Sequence, residues 1–195
     1  MRKLFRAFIL TFVAVLLLSG CNKEKIETNM SETVEDFEFT TQDEETLSLD
    51  DLKGEYWLAD FIFTNCETVC LPMTSNMKEL QDKLKEEGVD IQIVSFSVDP
   101  EYDTPEVLRE YADQYGADTD SWTFLTGYDF ETIEELSIKS FKNLVAPAPE
   151  GTDQITHGTG FFLVNPEGKV IKKYDGVDSG GLDYIFRDLK KVQEG

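Results

Sequence analysis

Two cysteines four positions apart, Cys66 and Cys70, are the side chains in this sequence best suited to chemistry. They stand in Thr64-Asn65-Cys66-Glu67-Thr68-Val69-Cys70-Leu71-Pro72, directly after the apolar run Trp57-Leu58-Ala59-Asp60-Phe61-Ile62-Phe63. Behind them Met73, Met77, Leu80 and Leu84 recur at helical spacing, which reads as a core-facing stripe. A strand therefore delivers the pair to a loop that feeds a helix start. There, unpaired N–H groups and the positive end of the helix dipole favour anions. A thiolate is such an anion, so at least one cysteine is expected to ionise more readily than a free one. With Cys70 in the first turn, side chains at i and i+4 share a face, and both sulfurs could reach one soft metal ion, or each other.

Three chemistries fit such a pair. A structural disulfide is compatible with an exported chain, but a bridge closing so short a loop removes little chain entropy. A redox dithiol at a helix start is the second, although its usual spacing has two intervening residues and here there are three. A metal site is the third. His157 is the single histidine of the chain, in Ile155-Thr156-His157-Gly158 before an apolar strand. In a thioredoxin-like arrangement that loop lies across from the cysteine-bearing helix start. Two thiolates and an imidazole suit a soft or borderline ion, and copper outcompetes the other divalent ions at such ligands. Zinc would accept the same three ligands plus a water, but gives no reason for reactive sulfurs.

The elements that must position these groups are legible in order. Alternation around Gln42-Asp43-Glu44 predicts a β-hairpin, and Gly54 precedes the buried strand that leads to Cys66. The first long helix ends near Gly88. The β-rich run 91–98 closes on Asp99-Pro100, after which Thr104 and Pro105 read as N-cap and first residue of a helix with Val107, Leu108, Tyr111, Ala112 and Tyr115 on one face. A strand at 122–125, a helix at 130–141 and a long loop at 144–155 follow. Then come a strand at 161–164, a turn at Asn165-Pro166-Glu167-Gly168, a strand at 170–174, and a last helix with Leu182, Ile185, Leu189 and Val192 inward. Alternating strands and helices closing on a hairpin and helix give an α/β fold, a thioredoxin-like sandwich with an added N-terminal hairpin.

The chain's 195 residues make one domain of this kind, expected at 36–195. Arg2, Lys3 and Arg6 precede an apolar stretch at 7–18, too short to span a bilayer comfortably but suited to an export signal over 1–20. Leu18-Ser19-Gly20-Cys21 resembles a bacterial lipobox, so Cys21 is expected to carry lipid, which also leaves the other two of three cysteines as a pair. Residues 21–35, polar and acidic, read as a flexible tether holding the domain at the extracytoplasmic face of the cell membrane. The 18 Lys+Arg against 39 Asp+Glu give a formal charge of −21, which argues against nucleic acid and an anionic lipid surface as partners, since both would be repelled. It leaves a solvated acidic surface, or an electrostatic match to a basic protein.

The motifs TNCETVC, SVDPEYDTPEVLREYADQYG, WTFLTGY and HGTGFFLVNPEGKV, in that order from about Val34 onward, closely resemble the Sco/SenC family of copper-binding cytochrome c oxidase assembly proteins. The resemblance implies a thioredoxin-like fold and copper, as Cu(I) or Cu(II), held by Cys66, Cys70 and His157. It further implies a partner, cytochrome c oxidase subunit II, whose dinuclear copper site would be assembled by delivery. The alternative is a thiol–disulfide reductase that keeps that site's cysteines reduced, with Cys66 and Cys70 as redox pair and an extracytoplasmic thiol reductant as partner. A thiol peroxidase of the same fold is a third class, but such sites need no histidine ligand. Asp99 matches the aspartate of the family's DP motif, and either orients a Cu(II) site from outside the ligand set or caps the turn at Pro100. Three departures stand out: Leu71 separates Cys70 from Pro72, the stretch after His157 is glycine-rich and so expected to be mobile, and a lipid anchor replaces the transmembrane helix of mitochondrial members.

Overall fold

The strand leading to the cysteines, Trp57–Ile62, is buried along its whole length, because helices cover both faces of the sheet it centres. A computed structural model describes residues 25–66 and 70–194 of the chain. In order these form β1 (Glu32–Thr33), β2 (Glu38–Thr41), β3 (Thr46–Ser48), α1 (Leu49–Leu52), β4 (Trp57–Ile62), α2 (Cys70–Glu86), β5 (Gln92–Ser97), α3 (Pro105–Tyr115), β6 (Trp122–Thr126) and α4 (Phe130–Phe141). Then come β7 (Val145–Ala146), β8 (Thr156–His157), β9 (Gly160–Val164), β10 (Lys169–Asp175) and α5 (Leu182–Gln193).

The main sheet runs β1-β10-β9-β4-β5-β6-β2-β3. Strands β4, β5 and β6 are parallel, with Leu58 opposite Ile93 and Val94 opposite Thr123. β9 pairs antiparallel to β4, and β10 to β9. Alternation along β4 divides the core. Leu58 and Ile62 join Met73, Met77 and Leu80 of α2, Leu108 of α3 and Leu189 of α5 on one face. Trp57, Ala59 and Phe61 join Ile133, Leu136 and Phe141 of α4 on the other. The helices are therefore held by apolar stripes of matching period, and Met73 and Met77 are core residues. At the start of α3, Thr104 Oγ1 accepts from Val107 N with Pro105 following, as expected. The turn at 165–168 closes the β9–β10 hairpin through Asn165 N to Lys169 O, with Gly168 at φ 74° where a side chain would strain.

Two expectations need correction. The stretch composed like a tether is packed from residue 26 on: Ile26 and Val34 are buried, β1 pairs with β10, and the Asn29 side chain bonds both Lys173 O and Lys173 N. An edge strand is recruited through backbone groups, so polar composition does not betray it. The loop at 144–155 is bounded by a small second sheet, in which Val145 pairs with His157. The expected leader, and Cys21 as the expected lipid carrier, fall outside the described residues. Among the described residues no helix is long and apolar enough to cross a membrane.

Candidate metal centre

Cys66 follows β4 by a four-residue step, Cys70 opens α2, and His157 is carried by β8. The three come from different elements, yet their Sγ, Sγ and imidazole nitrogen atoms all lie within 4.8 Å of one another. Among the described residues this is the one group of three or more such side chains that could hold a metal ion. Cys66 and Cys70 are not joined in a disulfide. Cys70 Sγ lies 3.1 Å from His157 Nε2, and His157 Nδ1 lies 3.0 Å from Gly158 O. A carbonyl only accepts, so Nδ1 carries the proton and Nε2 offers its lone pair to the sulfur, or to a metal in its place. The imidazole and the Phe63 ring meet in a T-shaped pair, with centroids 5.6 Å apart.

The sequence predicts a readily ionised thiol at the helix start, and Cys70 is the reverse. A hydrogen bond shared with Cys66, and then burial, push its thiol well above the ordinary cysteine range, against a smaller lowering by the Phe63 backbone. Proximity of a second sulfur and loss of water outweigh the helix dipole. A metal ion must therefore displace that proton.

The glycines after His157 serve close packing. A Cβ on Gly158 would stand 2.0 Å from Asn143 Oδ1, and one on Gly160 would stand 2.8 Å from the Phe162 ring. Gly158 N also donates to Leu144 O at 2.8 Å, fixing the strand that presents the imidazole. On the cysteine side, Asn65 Nδ2 donates to Asp153 Oδ2 at 2.8 Å and Gln154 Nε2 to Asn65 O at 2.9 Å, joining the two ligand-bearing loops.

Asp99 is not brought into the group of three. It lies beside Glu101, Pro147, Asp153 and Ile155 in a groove of about 300 Å³. Its carbonyl accepts from Tyr102 N and Asp103 N, which is the turn-forming role. Burial, then the nearby Glu101 and Asp153 charges, push its carboxyl up. Two residues that sequence reasoning passed over belong to the surroundings. Asp60, in the middle of β4, is fully buried with Ser95 Oγ donating to Oδ1 and, among the described residues, no partner for Oδ2. Burial pushes its carboxyl up to about 7, against smaller lowering by Ser95 and His157. Asp103 is fully buried and bonded to Thr64. An acid inside the apolar run of β4 was the available signal for Asp60, and Asp103 gave none.

The SCO1/SenC family model matches residues 25–193. The chain belongs to the SCO1/SenC family. It is 51% identical to the SCO1 protein homolog of Bacillus subtilis over 177 residues, 91% of each chain. A SCO1/SenC family lipoprotein from Bacillus anthracis superposes with a TM-score of 0.79 at 47% identity, over 83% of this chain and 95% of that one. BsSco, a member of the Sco family of cytochrome c oxidase assembly proteins in which a disulfide switch has been identified, gives 0.78 at 49% identity, over 86% and 98%. The copper-bound ScoI of Arabidopsis thaliana gives 0.68 at 26%, over 82% and 99%. The fold is thus the thioredoxin-like α/β sandwich of Sco proteins.

Proposed function

We propose that this protein is a copper chaperone, anchored by lipid on Cys21 at the extracytoplasmic face of the membrane, that binds copper through Cys66, Cys70 and His157. It would serve assembly of the dinuclear copper site in cytochrome c oxidase subunit II. The observation that carries this reading is the convergence of two thiols and one imidazole within 4.8 Å. Sulfurs alone satisfy Cu(I), while Cu(II) prefers mixed nitrogen and sulfur ligation, so the same three side chains serve both states. On loading, the thiols release their protons as copper–sulfur bonds form. Delivery exchanges those bonds for bonds to an acceptor's cysteines and ends with the thiols reprotonated, with no net oxidation. The copper-bound relative and the bacterial lipoprotein relative support the cargo and the anchor.

A second reading is favoured by the contact between the two reduced sulfurs and by the disulfide switch of BsSco. In it, Cys66 and Cys70 give two electrons and two protons to a disulfide in the acceptor and become a disulfide themselves, for an external thiol reductant to restore. The test is His157→Ala. Delivery requires that Cu(II) titration of the reduced protein show sharply weaker binding, with the thiols still able to form and break their disulfide, and that cells lose oxidase activity when copper is scarce. Full oxidase assembly by the variant in low copper would hand the function to the reductase.

A further inference from the structure

The step from β4 to Cys66 is only Phe63, Thr64 and Asn65 long, and one buried side chain from another part of the chain grips its middle. Asp103 lies in the turn between β5 and α3 and is fully buried. Its carboxylate accepts the Thr64 backbone N–H at 3.2 and 3.3 Å and the Thr64 hydroxyl at 2.5 Å. It also accepts the Ser97 hydroxyl at 2.5 Å, and Ser97 Oγ in turn accepts Asp99 N at 3.0 Å. The turn itself does not need this carboxylate, because Asp103 N and Tyr102 N already close it on Asp99 O, and α3 is already capped by Thr104. Burying a carboxylate without a cationic partner is costly, and three donors on one group are what make it tolerable. The grip is directed at Thr64, two residues before the first sulfur.

We infer that Asp103 is a positioning residue for copper capture, holding Thr64 by backbone and hydroxyl together so that Cys66 presents its sulfur to Cys70 and His157. The inference rests on the copper reading above. Groups that orient a ligand from outside the coordination sphere matter nearly as much as the ligand, because an ill-placed donor must be reorganised each time the ion binds. Asp103 acts on geometry alone, since it does not belong to the group that could converge on one ion.

Three variants of the reduced protein test it, with Cu(II) as the probe. Asp103→Ala should lower Cu(II) affinity about 10–100-fold and alter the thiolate-to-copper absorption. Asp103→Asn should restore most of the loss, because its amide oxygen can still accept both Thr64 donors while its NH₂ faces the Ser97 hydroxyl, which can accept. Thr64→Val, which keeps the backbone contact and removes the hydroxyl, should cost up to about tenfold. The double variant Asp103→Ala/Thr64→Val should be no worse than Asp103→Ala alone. In metal-free protein, iodoacetamide should label Cys66 faster in Asp103→Ala and Thr64→Val, with Cys70 unchanged. Unchanged affinity, absorption and Cys66 labelling in the folded variants overturns the assignment, and if Asp103→Ala does not fold, Thr64→Val decides by the same measures. Wild-type protein that binds no Cu(II) would overturn the copper reading instead, and the labelling rates would still judge the role of Asp103.

Discussion

Two acidic regions are stabilised in opposite ways. Between β10 and α5, Asp188 is ion-paired with Lys172 at 2.7 Å, and Tyr184 and Tyr174 complete the cluster. Burial alone would push the Lys172 ammonium down, but Asp188 and Tyr184 together hold it up. Around the cysteines, Asp60, Asp99 and Asp103 have no ion pair among the described residues. These three are the aspartates of the described chain whose carboxyls are pushed up, in each case chiefly by burial. The contrast is physically sensible for a site that takes up a metal cation. A buried ammonium beside the thiols would hold them as anions and repel the incoming ion, whereas hydroxyl and amide donors stabilise acids without adding positive charge. The fold therefore places its buried lysine outside the Cys66–Cys70–His157 group and leaves the surroundings of that group acidic.

The largest effect is expected where the contrast is sharpest. Lys172→Met leaves Asp188 buried and unpaired, and should lower unfolding free energy by about 3–5 kcal/mol. Replacing both partners, Lys172→Met with Asp188→Leu, should recover most of it. Denaturant unfolding measures both, and copper affinity of the folded fraction should not move. If the single variant is as stable as the double, the pair is not the cluster's organising contact.

On the acidic side the expected signature is a pH slope. Asp60 holds its proton to about 7 in the folded state, against a usual 3.8. The folded state thus binds the extra proton between these values, so stability falls as pH rises through that window and the loss is complete above it. Asp60→Asn should remove that slope, and at pH 8 the metal-free variant should be more stable than wild type by about 2–4 kcal/mol. Equal stability curves for the two proteins from pH 5 to 8 would show that Asp60 is ionised at little cost.

The same contrast explains what the sequence could disclose. Periodicity carried the fold, because β4, α2 and α5 each bury the residues their patterns pick out. The ligands were legible because cysteine and histidine are scarce and their motifs specific. The buried acids without an ion pair were harder to find: Asp60 stood out only as an acid within an apolar run, and nothing marked Asp103 among 39 acidic residues. Asp103 meets Thr64 across a gap of 39 positions, and only tertiary packing reveals that. The raised Cys70 thiol was hidden for the same reason: helix position is a local property, while burial and the neighbouring sulfur are not.

A smaller effect concerns copper binding itself. Because Cys70 keeps its proton through the neutral range, copper must release it, and apparent copper affinity should rise about tenfold per pH unit for each proton released. Competition titrations from pH 6 to 8 measure this slope. A flat profile would mean that Cys70 is already a thiolate, and that the acidic surroundings do not govern the site.

The smallest expected effect lies at the exposed edge, where Asp153 accepts from Asn65 and so links the cysteine loop to the histidine loop. Asp153 is solvent-exposed, and water replaces a lost surface hydrogen bond readily, so Asp153→Ala should change stability by less than about 0.5 kcal/mol. Its consequence should appear in kinetics. On the proposed delivery reading the link spans the two loops between which an acceptor's cysteine would enter, so its loss should speed copper release to a chelator by about 2–5-fold, mainly through the off-rate. The variant also removes one of the charges that raise the Asp99 carboxyl, so Asp99 should titrate lower, a shift that carboxyl-carbon NMR can read. Faster release with unaltered Asp99 titration would assign the effect to the link itself. A shifted titration with unchanged release would show that the loops part without resistance there, leaving the buried Asp103–Thr64 grip as the restraint on Cys66.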